Sequence, residues 1–252
     1  MSESLRKDSA PTLSHAATHE LRELIIQGEL KPGEHSQEQR VCDRLGMSRT
    51  PVRTAFGNLA TEGYLIYRPN RGYFVREFEL ADLKEAWEIR SVLEGMAARK
   101  CAEQGIGKEV ETILLSCLAQ GDRILARGFF ERADVEPYRE MNMAFHETVL
   151  RASRVKALPG AVRFTQKIPL ASDRILVWQD FEHLKRSHDD HHRVVDAILG
   201  REAVRAEYLM REHVYYAGIF VSNHVMRNGM KLRAGDDAEE ILQVATSWGR
   251  GG

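Results

Sequence analysis

The sequence predicts a mainly α protein in two parts, an N-terminal winged helix-turn-helix with a small β-hairpin wing followed by an all-α antiparallel six-helix bundle. Three observations lead there. Apolar residues recur at helical spacing along nearly the whole chain, one segment (64–75) carries β-forming runs around a turn, and the charge is unevenly spread. The net charge of the 252 residues is only −1, yet residues 40–76 hold 7 basic and 2 acidic side chains while 77–252 hold 25 and 28. A near-neutral total excludes a basic nucleic-acid coat and an acidic tail, and the split favours two domains with one locally basic end.

The first helix spans roughly His15 to Gly28, sets Leu21, Leu24 and Ile25 on one face, and stops before Lys31-Pro32-Gly33. The second covers Gln37 to Leu45 and ends at Gly46. The third takes Ser48 as N-cap, tolerates Pro51 in its first turn, where a missing N–H costs nothing, and runs to about Glu62. Tyr64 to Val75, with Pro69-Asn70-Arg71-Gly72 at its turn, reads as the hairpin. Six further helices are expected at about 80–103, 108–127, 135–152, 157–177, 180–199 and 202–227. The expected divisions are a flexible 1–17, a DNA-binding domain over 18–76, a linker at 77–80, a helical domain over 81–227 and a frayed tail over 228–252.

No run reaches the roughly 18 apolar residues of a membrane span, and the opening residues lack a signal-peptide core, so a cytoplasmic protein without a membrane partner is expected. Cys42, Cys101 and Cys117 are odd in number and widely spaced, which disfavours disulfides and cysteine-based zinc; they read as small buried residues.

The basic end has the chemistry of a DNA reader. Ser48 and Thr50 place hydroxyls at a helix N-terminus, where free N–H groups attract phosphate. Arg49 and Arg53, four apart, share a face and can pair with guanine in one major groove. Asn70, Arg71 and Gly72 form a wing tip that can approach a minor groove or phosphate, and Arg40 and Arg44 would touch backbone phosphates. A merely solvated face would intersperse both signs, whereas Glu62 is the only acid between Arg44 and Arg68.

These runs, ELIIQGELKPGE, LGMSRTPVRTAF, LATEGYL and RPNRGYFV, resemble the DNA-binding domain of GntR-type bacterial transcription regulators. The resemblance implies dimers on short palindromic operators. EIRSVLEGMAARKCA, NMAFHETVL, DHHRVVDAILG and YLMREHV similarly resemble the helical FCD ligand-binding domain of the fatty-acid-regulator subfamily, in its six-helix variant. That resemblance implies a metal held by Asn142, His146, His191 and His213, with Asn142 where relatives carry Asp or Asn.

Helical geometry agrees with this set. At about 100° per residue from His191, Leu184 falls near 20°, Ile198 near −20° and His192 near 100°, so His191 points inward, His192 lies at the edge and His188, near 60°, is a stand-in. His213 lies mid-stripe, with Leu209 and Phe220 on one side and Met210 and Ala217 on the other, and Asn142 and His146 share a face with Val149 and Leu150. Imidazole suits zinc or nickel first, with manganese, iron or copper also compatible; a neutral amide at Asn142 lowers affinity relative to carboxylate. Open positions on such an ion would take a small carboxylate effector. Arg90 and Arg139 are the candidate partners of that carboxylate, with a structural Arg90–Glu94 pair as the alternative and Arg174 a weaker third candidate. Trp87, Phe145 and Phe220 are expected in the core.

The expected function is a metabolite-responsive DNA-binding transcription regulator, a repressor before an activator. Two alternatives stand beside it. One is a metal-dependent hydrolase, disfavoured because HETVL at 146–150 lacks the second His of an HExxH site. The other is a DNA-binding dimer whose bundle is inert.

Overall fold

The computed structural model describes residues 12–227 apart from 27, 78, 167, 169 and 172–179. The chain divides into two compact units, with the division between residues 78 and 79.

Among its described residues the first unit holds three helices and a small sheet: α1 (Leu13–Ile26), β1 (His35–Ser36), α2 (Glu38–Leu45), α3 (Arg49–Thr61), β2 (Leu65–Arg68) and β3 (Gly72–Val75). Helix α1 starts earlier than its apolar pattern suggests. The Oγ1 of Thr12 accepts from the His15 N–H at 3.3 Å and Ala17 is fully buried, so residues 13–17 belong to the folded domain rather than to a flexible terminus. Leu21 of α1 and Val52, Phe56 and Leu59 of α3 are all buried in the core of this unit. Arg22 and Glu62 close the α1–α3 contact at 2.9 Å. Gly46 (φ 64°) adopts the left-handed conformation that makes the tight α2–α3 turn.

The sheet has order β1-β3-β2, both pairings antiparallel, with Leu65 opposite Val75 and His35 opposite Phe74. The hairpin was legible; β1 was not, because two residues carry no periodicity. It is held by pairing with β3 and by stacking of the His35 ring on Phe74 at 4.8 Å.

The second unit contains α4 (Leu80–Gln104), α5 (Lys108–Leu125), a 3-10 turn at Arg132–Asp134, α6 (Val135–Ala152), α7 (Leu158–Thr165), α8 (Phe181–Leu199) and α9 (Ala203–Arg227). A capping box starts α4: the Glu79 N–H donates to Asp82 at 3.2 Å and the Glu79 side chain accepts from the N3 backbone. Asp180 caps α8 by accepting from the His183 N–H at 3.0 Å. Helix α4 runs along α9 and also meets α6, α7 and α8, while α5 packs on α6 and α8. Leu83, Ala97, Phe145, Val194, Ile198 and Met210 are among the residues buried in its core. All three cysteines are free and buried.

Helix α7 is shorter than the expected 157–177. It stops at Thr165, and Leu170 takes a positive φ of 67°. The carbonyls that follow are drawn into the bundle: Trp87 Nε1 donates to Leu170 O at 3.1 Å and Arg90 to Ala171 O at 3.2 Å. A continuing helix would have kept those carbonyls for itself. Arg174 and the 228–252 tail lie outside the described residues.

Candidate DNA-binding face and metal centre

On the first unit, Ser48 occupies the N-cap of α3 without a side-chain capping bond, and Ser48, Arg49, Thr50 and Arg53 are exposed together. Arg40 and Arg44 are exposed on α2; at the wing tip Asn70 (φ 60°) and Arg71 are exposed, and Gly72 (φ 82°) is half-buried. A Cβ on Gly72 would come within 3.1 Å of the His35 ring, so glycine serves both the turn and the β1 contact. Arg68 and Arg71 lie over the Phe74 ring at 4.5 and 5.5 Å. Glu62, the lone acid in this stretch, is drawn into the ion pair with Arg22.

The sequence did not reveal that these arginines already have partners. Arg49 donates through Nε and Nη2 to Gln39 Oε1 at 3.1 and 2.8 Å, Arg53 meets Glu38 at 3.4 Å, Arg40 meets Glu34 at 3.1 Å and Arg44 meets Glu29. Their acceptors are 6 to 15 positions away, beyond the reach of i,i+4 pattern reading. Such exposed pairs contribute roughly 0–1 kcal/mol and exchange readily for phosphate or base edges.

In the second unit, α6, α8 and α9 bring His146, His191 and His213 together, all buried, with their ligating nitrogens within 4.8 Å of one another. His213 Nε2 lies 3.2 Å from His191 Nε2 and 3.3 Å from His146 Nε2. Glu94 faces one ring nitrogen: its Oε2 lies 2.6 Å from His146 Nδ1 and accepts from it in the Nδ1–H tautomer, which turns the Nε2 lone pair of His146 toward His213. One hydrogen on His213 Nε2 can satisfy that lone pair, but the same atom then meets His191 with nothing left to share. Both contacts cannot be good hydrogen bonds at once, whereas a cation among three lone pairs would satisfy all of them. Burial, reinforced by the neighbouring imidazoles, pushes His213 down to about 3 and His191 well below the usual range, so both are neutral ligand donors near pH 7. This donor set fits a divalent transition metal.

Glu94 has two partners, of which the sequence pattern shows one. It was legible as the partner of Arg90, and that pair is formed at 2.6 Å with both side chains only 1% exposed. Its second role, holding His146 from 52 positions away, requires the tertiary fold. Burial alone would raise its carboxyl, but Arg90 and His146 outweigh burial and hold it at about 2. Arg90 also donates to Ala171 O and lies 4.5 Å over the Trp87 ring, so its fork is engaged inside the bundle. Arg139 is buried and pairs with Glu136 at 2.5 Å.

Asn142, half-buried one turn before His146, shares a cavity of about 50 Å³ with Arg90, Tyr138, His146 and His213. A larger cleft of about 150 Å³ also reaches His213 and is walled by His183, Arg186, Asp190, Phe220 and Asn223. Arg139 lines neither of these two spaces. Trp87 and Phe145 are core residues as expected, but Phe220 is half-buried on the cleft wall, where His183 stacks on it at 3.5 Å. Arg186 lies 4.4 Å over the Tyr216 ring at the same cleft.

Comparison with known proteins follows the same two-part division. Residues 13–75 match the family described as "Bacterial regulatory proteins, gntR family", and residues 85–215 match the FCD domain. The "Probable D-xylose utilization operon transcriptional repressor" of Paenarthrobacter nicotinovorans is 31% identical over 195 residues, covering 75% of this chain and 80% of its own. The "Nta operon transcriptional regulator" of Aminobacter aminovorans is 25% identical over 194 residues, covering 76% and 86%. Among solved structures, "E. coli McbR/YncC" superposes with a TM-score of 0.60 at 20% identity, over 84% of this chain and 98% of that one, a likeness of fold.

Proposed function

From the membership of this chain in the GntR family of bacterial regulatory proteins, and from its FCD domain, we propose that it is a homodimeric repressor released from a palindromic operator by a small carboxylate bound beside a metal. Family and relatives are DNA-binding transcription regulators rather than enzymes, and no described helix is long and apolar enough to cross a membrane. The observation that carries the finer reading is the convergence of three imidazole nitrogens whose mutual contacts cannot all be hydrogen bonds.

In this reading His146, His191 and His213, with Asn142 beside them, hold a divalent transition metal, zinc or nickel first and manganese or iron next. When bound, the metal supplies positive charge at the inner end of the cleft. A carboxylate entering there meets Arg186 on the wall, while Arg90 supports His146 through its buried ion pair with Glu94 and Arg139 remains paired with Glu136. On the first unit, Arg49 and Arg53 read base edges, Ser48, Thr50, Arg40 and Arg44 contact phosphates, and Asn70, Arg71 and Gly72 approach the minor groove.

The test is a gel shift on the intergenic DNA beside its own gene, with metal analysis of the wild type and His213→Ala. The expected result is that the wild type carries metal and that small carboxylates release it from the DNA, with operator and effector affinities coupled reciprocally by about 1–3 kcal/mol. The variant should lose the metal and the response together. Retention of metal and of an equal response by His213→Ala would overturn the assignment of the site.

A further inference from the structure

A second group of metal-ligating side chains lies apart from the inner histidines. His188 and His192 are four apart on α8, one turn of the same face, and Asp122 reaches them from α5. Asp122 Oδ1 is 3.1 Å from His188 Nε2 and 2.9 Å from His192 Nε2, and all three ligating atoms lie within 4.8 Å of one another. With metal–ligand bonds of roughly 2.1 Å, neighbouring ligands of a six-coordinate ion stand about 3 Å apart and those of a tetrahedral ion about 3.4 Å apart. The two Asp122–imidazole separations are already within a few tenths of an ångström of the six-coordinate spacing.

The place for His188 is built into the helix packing. A Cβ on Gly121 would stand 2.0 Å from His188 Cε1, so the ring occupies the volume that any other residue at 121 would fill. The ring is thereby fixed at 2% exposure with Nε2 turned to Asp122 and to the carbonyl of Leu118 at 3.2 Å. The other side is open: the side chains of Asp122 and His192 are 55% and 39% exposed, which gives an ion an entry path and leaves room for water ligands. One carboxylate and two imidazoles are the donor types that divalent first-row metals take.

We propose that Asp122, His188 and His192 form a second, solvent-accessible site for a divalent transition metal, distinct from the site of His146, His191 and His213. The ion ties α5 to the turn of α8 that also carries His191. It therefore sets the position of one inner ligand from outside the cavity.

The test titrates zinc into metal-stripped full-length protein, with stoichiometry from native mass spectrometry and affinity from calorimetry, for the wild type, His192→Ala, Asp122→Asn and His213→Ala. Asp122 is exposed and His192 half-buried at the same surface, so their variants should keep the fold, and far-UV circular dichroism checks that they do. The expected wild type binds one zinc more than His192→Ala, Asp122→Asn weakens that equivalent by about tenfold or more, and His213→Ala retains it. Equal stoichiometry and affinity in the wild type and His192→Ala would overturn the proposal, because Asp122 would then be only a hydrogen-bond acceptor for two histidines. Loss of both equivalents in His213→Ala would also overturn it, since the outer ligands would not then form a site of their own. Failure of the inner site alone leaves the outer equivalent intact in the wild type, so the two readings fail separately.

Discussion

Arg49 and Arg53 are exposed and contribute little to the fold, so their substitution separates recognition from stability. Arg49→Ala or Arg53→Ala should each lose roughly 1–3 kcal/mol of base discrimination at constant salt, with an unchanged melting temperature; operator against scrambled-DNA titrations measure it. Glu94 is the opposite case. Removing it leaves Arg90 as an uncompensated charge at 1% exposure and frees the ring of His146, so Glu94→Ala should cost about 3–5 kcal/mol in urea unfolding. An Arg90→Met/Glu94→Leu double variant should recover part of that loss, because it removes both charges. Sequence periodicity located His146, His191 and His213 on apolar stripes because each lies mid-face on its own helix. It could not show Glu94 behind His146, or Gln39 and Glu38 beside the arginines, since those contacts join different elements.

At the level of elements, α9 packs tightly on α4 where Gly218 faces Trp87. A Cβ at 218 would stand 2.5 Å from Trp87 Cβ and Cγ, so Gly218→Ala must push the indole away from its bond to the Leu170 carbonyl. A destabilisation of about 1–3 kcal/mol is expected, with a change in tryptophan fluorescence. Helix boundaries were legible where a cap or a glycine marks them, as at Gly46 after α2 and Asp180 before α8. The end of α7 was missed because contacts with Trp87 and Arg90, on a helix about 80 residues earlier, decide it. Helix α8 also carries a pH response. Burial pushes His183 down to about 4 against the pull of Asp180, below its unfolded value near 6.5. The unfolded chain therefore takes the proton first. The stability this neutral ring contributes is present above about pH 6.5 and is lost as pH falls toward 4, to a limit of about 3 kcal/mol. His183→Phe, which keeps a ring stacked on Phe220, should flatten the fall in melting temperature across that window.

For the molecule as a whole, a single recognition helix offers too few base contacts for an operator, and two-fold symmetry on a palindrome is the usual remedy. Light scattering should return twice the 28.7 kDa of one chain at micromolar concentration without DNA. A monomer under those conditions, and again with operator present, would contradict this. The two-part organisation was readable from the charge split and the position of the hairpin. The inner cleft was not, because its wall at Phe220 lies on a stripe that periodicity assigns to core.

The partners of the DNA-facing arginines have a kinetic meaning. Glu29, Glu34 and Glu38 act as tethered counter-ions, each supplied by the protein at no concentration cost. In the proposed reading a phosphate on arbitrary sequence must displace them for little return, so the chain would slide with its guanidinium groups partly occupied by these carboxylates. Only where bases also accept from Arg49 and Arg53 is the exchange complete. Added salt weakens the carboxylate tethers as well as the phosphate contacts, so in this reading the search would stay loose over a wider range of ionic strength than with a bare cluster of arginines.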